Sequence, residues 1–310
     1  MATAEASQPP ILVGYDPRSG DRAPVHFGVA AARFTGAPLI VVSVCAAKRT
    51  VGHAEELEPH ATQALDELAA DAGATLEVRE LRGTSAPRVL HEAAEAEGAG
   101  LLVIGSTDRG AVGRVLPGST AERLMQGAPC PIAVVPHRWE PRGALDPIGV
   151  AYVDTDEGLE ALRSAHALAR KAAATLRVLA MVKPGVGVTA PTESPKAGQA
   201  GTDVEDVEGA HRLQLENAAR EALAELNGAD VEVEIEALVD DPADALVRVS
   251  EHLDILVCGS RGYGPLRAVL LGGVSRRVVA EAHCPVIVLP RGVKAPLEAL
   301  TAAPGTIAAP

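Results

Sequence analysis

The chain has almost no aromatic residues: one Trp, three Tyr and two Phe among 310. Its cores must therefore be built from Ala, Val and Leu. The stacking platforms on which many nucleic-acid readers lay bases are missing too. Positive charge is also short, with 28 Lys and Arg facing 41 Asp and Glu for a formal net charge of −13. That field repels a phosphate backbone and no local basic patch offsets it, so neither DNA nor RNA is expected as a partner. Cysteine is sparse and scattered. Cys45, Cys130, Cys258 and Cys284 form no CxxC pair, which offers neither the close ligand pairs of a zinc site nor the density of a disulfide framework. They read as small buried hydrophobes in a reducing compartment. Apolar runs such as LLVIG and ILVCG are far too short to cross a bilayer. The opening MATAEASQPP has neither the basic patch nor the apolar core of a signal peptide. A soluble, cytoplasmic protein without a membrane partner is the expectation. The nine histidines make no metal-ligand pair, and no nucleophile, base and orienting group fall together in adjacent motifs. Neither a metal site nor a catalytic residue is expected.

What the chain does have is an internal repeat. Residues 101–124, LLVIGSTDRGAVGRVLPGSTAERL, match 255–278, ILVCGSRGYGPLRAVLLGGVSRRV, at an offset of 154. At the same offset APCPIAVVP matches AHCPVIVLP, whereas AARFTGAPLIVVSV matches ALARKAAATLRVLAMV at an offset of 137. The difference falls in residues 184–209, rich in Pro, Gly, Thr and acids, which read as a mobile loop. Each half opens with an apolar strand (11–15; 148–153). Then come a helix (22–35; 157–172), a strand (39–44; 176–182), a helix (54–71; 210–227), a strand (75–81; 231–239), a helix (86–97; 242–252) and a strand (101–104; 255–258). A glycine-rich loop leads to a last helix (118–126; 273–282) and a fifth strand (131–135; 285–289). Strands alternating with helices imply a parallel sheet covered on both faces, and continuous Val, Ile and Leu suits strands buried on both sides. Ligands of such sheets bind beyond the carboxyl ends of strands, where the winding reverses. Asp16, Val44 and Gly105 stand at such ends.

The loop after the fourth strand carries the chemistry. In the second half it runs Gly259-Ser260-Arg261-Gly262, nine residues, then Gly272-Gly273-Val274-Ser275. Glycines let backbone N–H groups converge on an anion, and the following helix presents its N-terminus to the same place. The spacing is neither GxxxxGK[ST] nor GxGxxG, so the P-loop and dinucleotide readings lose weight.

G-x-x-G, nine residues, then G-[S/T], a helix and a strand opening Cys-Pro resembles the signature of the universal stress protein family. The likeness covers residues 9–138 and 146–291. It implies an α/β fold of two tandem open five-stranded parallel-sheet domains with helices on both faces, of the adenine-nucleotide α-hydrolase-like kind. The expected bounds are 1–140 and 146–292, with 293–310 a flexible tail. Such proteins commonly pair through the fifth strand, so the resemblance implies an intramolecular pseudo-dimer, with homodimerisation and an unidentified protein partner as further options. Some members bind ATP or another adenine nucleotide and others have lost the site.

Carried over by motif, the resemblance makes Asp16 and Val44 the adenosine contacts of the first half, with Gly105, Ser106, Asp108, Gly118, Ser119 and Thr120 the phosphate loop. In the second half Met181 aligns with Val44 and Val153 with Asp16; Asp154, one residue late, is the candidate carboxylate there, aimed at the opposite face unless a bulge restores its direction. Gly259, Ser260, Gly262, Gly272, Gly273, Val274 and Ser275 form its phosphate loop, and Arg267 is a candidate to neutralise phosphate, as are Arg109, Arg114 and Arg261. Asp108 stands where the second loop glycine belongs. A carboxylate about 4 Å from a phosphate costs roughly 4 kcal/mol at an effective dielectric of 20, unless Mg²⁺ bridges the two or the side chain takes an outward rotamer. Gly273 replaces the usual Ser or Thr and forfeits a hydroxyl donor worth about 1–2 kcal/mol. The second loop is thus the better triphosphate site and the first keeps the better adenosine contacts. The expected function is a nucleotide-binding stress or signalling module with at most slow ATP hydrolysis. The alternatives are a partner-binding module with vestigial sites and an enzyme using the 184–209 insert.

Overall fold

Short runs of Val, Ile and Leu become strands, and the Ala-rich stretches between them become the helices that cover both faces. The computed structural model describes residues 8–46, 76–106, 119–125, 127–181, 202–226, 230–238, 241–259, 273–290 and 296–301. In the first half these comprise β1 (Ile11–Tyr15), α1 (Ala23–Thr35), β2 (Leu39–Ala46), β3 (Leu76–Gly83), α2 (Ala86–Ala96), β4 (Leu101–Gly105), α3 (Ser119–Met125) and β5 (Ile132–Val135). The second half has β6 (Ile148–Tyr152), α4 (Asp156–Ala172), β7 (Leu176–Met181), α5 (Thr202–Ala224), β8 (Val233–Leu238), α6 (Pro242–Val249), β9 (Ile255–Gly259), α7 (Gly273–Glu281), β10 (Val286–Leu289) and α8 (Pro296–Thr301). The helix expected over 54–71 lies outside the described residues.

All ten strands join one sheet in the order β3-β2-β1-β4-β5-β10-β9-β6-β7-β8. Within each half every pairing is parallel; β5 and β10 meet antiparallel at the centre. The winding therefore reverses between β1 and β4 and between β6 and β9, which marks the carboxyl ends of those strands as the crevices of the sheet.

Because strand side chains alternate, the sheet feeds two apolar layers. Ile11, Val13, Val41 and Val103 join Phe27, Leu162 and Leu168 on one face. Leu12, Ile40, Leu102 and Ile104 join Leu90, Leu124, Leu246 and Val278 on the other. Both layers run across the β5–β10 seam. Each such Leu, Ile or Phe contributes about 1.5–3 kcal/mol of burial. The segment 136–147 between β5 and β6 docks by its one large aromatic, Trp139, which meets Phe27 edge to face at 5.7 Å. The outer edges carry charge that discourages further strand pairing: Arg177 on β7 holds Glu234 and Glu236 of β8, and Arg79 on β3 holds Glu77. Burial pushes the Cys130 and Cys258 thiols up to about 12 and raises that of Cys284, as inert core sulfur requires.

Two expectations need correction. The segment 184–209 is not loop throughout: α5 begins at Thr202 and runs through Gly209. The helix docks by Leu215, Ala219, Ala222 and Leu223, enough to outweigh the roughly 1 kcal/mol that one helical glycine costs. Residues 182–201 lie outside the description. Within the tail expected over 293–310, residues 296–301 form α8; the rest of that stretch lies outside the described residues. Leu297 and Leu300 of α8 are fully buried against the layer shared with α1 and α4. The Gln8 amide ties the Leu300 carbonyl, at 2.5 Å, to the C-terminal end of α1.

Candidate functional site

At the reversal between β6 and β9 the second half opens a cleft of about 560 Å³, mouth included. Its floor comes from strand ends: Ala151, Val153, Met181, Cys258 and Gly259. Pro242 and Leu246 of α6 form one wall, and the first turns of α7 bring Val274, Ser275 and Val278. The last side is the start of α4, where Thr155, Glu157 and Gly158 approach the strands.

Local chemistry explains this crowding. Thr155 caps α4, its hydroxyl accepting from the Gly158 N–H at 3.1 Å. Gly158 is pressed so tightly beneath the β6 exit that a Cβ there would lie 1.9 Å from the Val153 carbonyl oxygen. The end of β9 is squeezed in turn, since a Cβ on Gly259 would sit 3.0 Å from the Glu157 carbonyl oxygen. Ser275 is buried, and its hydroxyl donates to the Gly259 carbonyl at 3.4 Å, tying α7 to the strand it follows. The cleft thus joins an apolar floor, suited to a flat hydrophobic group, to the N-terminus of a nine-residue helix, suited to an anion.

The first half is built differently at the same point. Asp16 is exposed at the end of β1, and its carboxylate accepts from the Arg18 backbone N–H at 3.0 Å and from Arg18 Nε at 3.3 Å. It thereby caps the 3-10 turn Pro17–Ser19. Five residues on, Asp21 is buried; its Oδ1 accepts from the N–H groups of Ala23 and Arg138, both at 3.2 Å, and its Oδ2 lies 3.1 Å from His137 Nδ1. Ser106 is buried after β4 and its hydroxyl accepts from the His137 N–H at 2.9 Å. Gly105 repeats the close approach of Gly259, its missing Cβ falling 2.9 Å from Pro24 Cγ. Val44 is half-buried against the apolar layer beneath, and Thr120 is half-buried in the first turn of α3, where Ser119 is the first residue.

The model of the universal stress protein family matches residues 9–136 and again 145–290. The chain belongs to the universal stress protein family. A universal stress protein of Mycobacterium tuberculosis is 33% identical over 213 residues, 66% of this chain and 65% of that relative. A shorter one from Mycolicibacterium smegmatis is 33% identical over 135 residues, 41% of this chain and 98% of its own. Against the Mycobacterium relatives first matched, the chain spans just under two thirds of their length. Among solved structures, a universal stress protein from Archaeoglobus fulgidus superposes with a TM-score of 0.61 at 19% identity, over 91% of this chain and 98% of that one. A functionally unknown protein from Pseudomonas aeruginosa gives a TM-score of 0.64 at 18% identity, over 96% and 98%. Both likenesses show the fold alone; the two universal-stress-protein domains of this chain rest on the family match. Among the described residues no helix is long and apolar enough to cross a membrane.

Within this universal stress protein, Met181, Gly259, Val274 and Ser275 meet in the one cleft, and Gly273 opens the helix that walls it. Asp154 does not join them: it is exposed, while Val153 turns into the cleft with 4% exposure. The one-residue offset in the repeat raised the question, and the packing at the exit of β6 answers it. Thr155, Glu157 and Gly158 escaped the motif because they belong to the following helix, and Pro242 and Leu246 because they come from α6. Asp108, Gly118, Ser260, Gly262, Arg267 and Gly272, with Arg109, Arg114 and Arg261, lie outside the described residues.

Proposed function

We propose that the chain is a cytoplasmic adenine-nucleotide-binding module of stress response or signalling, with the second-half cleft as its main nucleotide site. The observation that carries this reading is the cleft at the β6–β9 reversal, apolar on its floor and bounded by the start of α7. The base would lie over Met181 and Val153, and the phosphates toward Gly259 and the N-terminus of α7, where backbone N–H groups and the helix dipole favour negative charge. Ser260, Gly262 and Gly272 would complete the phosphate loop, with Arg267 balancing charge. In the first half Asp16 and Val44 would hold adenosine, beside a loop of Gly105, Ser106, Asp108, Gly118, Ser119 and Thr120 in which Mg²⁺ offsets Asp108. The ligand is ATP or another adenine nucleotide.

One observation favours a second reading, a partner-binding module whose nucleotide sites are vestigial. Asp16 is engaged by its own turn through Arg18, and in the other half Val153 faces the cleft where a carboxylate would be needed. The two readings part on one experiment. Purified protein is heated to release bound nucleotide, the supernatant is chromatographed, and the emptied protein is titrated with ATP, AMP and adenosine by calorimetry. Adenine nucleotide in the supernatant, or saturable heat with ATP lost on Gly259→Val, supports the first reading. Neither release nor binding heat overturns it in favour of the second.

A further inference from the structure

The seam between the halves is a twofold contact whose symmetry has been broken at its centre. In the antiparallel β5–β10 pair Ala133 stands opposite Ile287, flanked by Ile132 opposite Val288 and Val134 opposite Val286. Ile287 lies 154 positions after Ala133, which is the repeat offset, so the central pair is a residue facing its own repeat counterpart. Beside the strands, Arg276 of α7 bridges Glu122 of α3 at 2.8 Å, and Arg276 lies the same 154 positions after Glu122. Two independent contacts, one buried and one at the surface, thus sit on the local twofold.

On such an axis, identical units would set each residue against its own copy. Two first halves joined by this edge would place Ala133 against Ala133 and Glu122 against Glu122. Two second halves would place Ile287 against Ile287 and Arg276 against Arg276. Ala133 and Ile287 are 0% and 1% exposed, so volume matters there. A small residue facing a large one fills the space, whereas two small residues leave a void and two large ones overfill it. The charges act in the same direction: unlike charges attract across the axis and like charges repel.

We propose that the β5–β10 seam, with the α3 and α7 flanks, is a pairing surface specific for the unlike half. Its partner is the other repeat of this same chain, and Ala133–Ile287 and Glu122–Arg276 are the residues that discriminate against like-with-like pairing. The inference is independent of any nucleotide.

Four single substitutions in the full-length chain create the four like-with-like contacts in place: Ala133→Ile, Ile287→Ala, Glu122→Arg and Arg276→Glu. The readout is amide hydrogen exchange over 132–135 and 286–289, which reports opening of the seam whether or not the halves unfold together. Each change at the buried pair should speed exchange by at least about tenfold. Each charge change should speed it by about twofold to fivefold, as its half-exposed setting allows. The exchanged doubles, Ala133→Ile with Ile287→Ala and Glu122→Arg with Arg276→Glu, should return to within about threefold and twofold of the parent, because they restore an unlike pair with its members reversed. Doubles exchanging as fast as the product of their singles would overturn the proposal, as would singles as protected as the parent. Should a buried variant fail to fold, the surface pair still decides, since neither Glu122 nor Arg276 is in the core.

Discussion

In the first half the chain leaves β1 through Asp16, makes a 3-10 turn and starts α1 only at Ala23. In the second half α4 starts at Asp156, directly after its Thr155 cap, and is 17 residues long where α1 has 13. Asp16 and Val153 occupy the same repeat position, 137 residues apart, as do Asp21 and Gly158. A surface carboxylate and a buried carboxylate in one half are therefore replaced by an apolar floor residue and a glycine in the other. The frame of the sheet tolerates this because strand pairing sets it, while the turn after the first strand only has to satisfy its own backbone. The lesson is that a duplicated fold can keep its architecture and rebuild its ligand-facing corner.

Gly158→Ala tests the tightest point of that corner. A methyl group 1.9 Å from the Val153 carbonyl oxygen forces the loop apart, and urea denaturation should register a loss of more than about 3 kcal/mol. An unchanged midpoint would mean the corner has slack and the two halves differ less than their contacts imply. At the matching position of the first half, Asp21→Ala strips the acceptor from the Ala23 and Arg138 N–H groups. The same measurement should show a loss of about 2 kcal/mol; a neutral result would mean that the Asp21 hydrogen bonds add nothing to the stability of that turn.

The next comparison concerns ligands and rests on the proposed nucleotide reading. Asp108→Gly should raise ATP affinity in the first half at least about tenfold, or 1.4 kcal/mol, by removing a like charge. Gly262→Asp should lower it in the second half by a similar factor. Calorimetric titration with and without Mg²⁺ separates the sites. If Asp108→Gly leaves ATP binding untouched while Asp16 is intact, the first loop does not face phosphate.

The smallest effect is a pH dependence confined to α4. Burial, and then the positive charge of Arg170, hold the His166 imidazole below its ordinary pKa. The unfolded chain therefore takes up this proton more readily than the folded one, so this group's contribution is to make stability fall as pH drops through the ordinary histidine value near 6.5 and below it. His166→Gln should flatten that part of the profile when urea midpoints are compared from about pH 7 to pH 5. A profile of unchanged slope would place the titration elsewhere.

Much of this molecule could be read before any coordinates. The alternation of apolar runs and Ala-rich stretches marked the parallel strands, since a strand covered on both faces has no polar position to hide. The glycine spacing and the 154-residue offset marked the loop and its duplication and led to Gly259, Val274 and Ser275, while Met181 came from the family resemblance, as the counterpart of Val44 at the 137-residue offset. The reading failed where a local signal was weak and a distant surface made up for it. Gly209 and its acidic neighbours look like loop until Ala219 and Ala222 dock the same helix. Six residues at 296–301 are too few to show a period, and only the groove beside α4 makes Leu297 and Leu300 core. Which residue turns into the cleft, Val153 or Asp154, could not be settled by counting, because the exit of β6 is decided by how Gly158 packs beneath it. What the amino-acid order determined by itself was periodicity and repetition, which are local and need only neighbours along the chain. What tertiary structure alone decided was which repeat position meets which across the seam and the cleft, because burial and twofold contact belong to pairs of residues far apart in sequence.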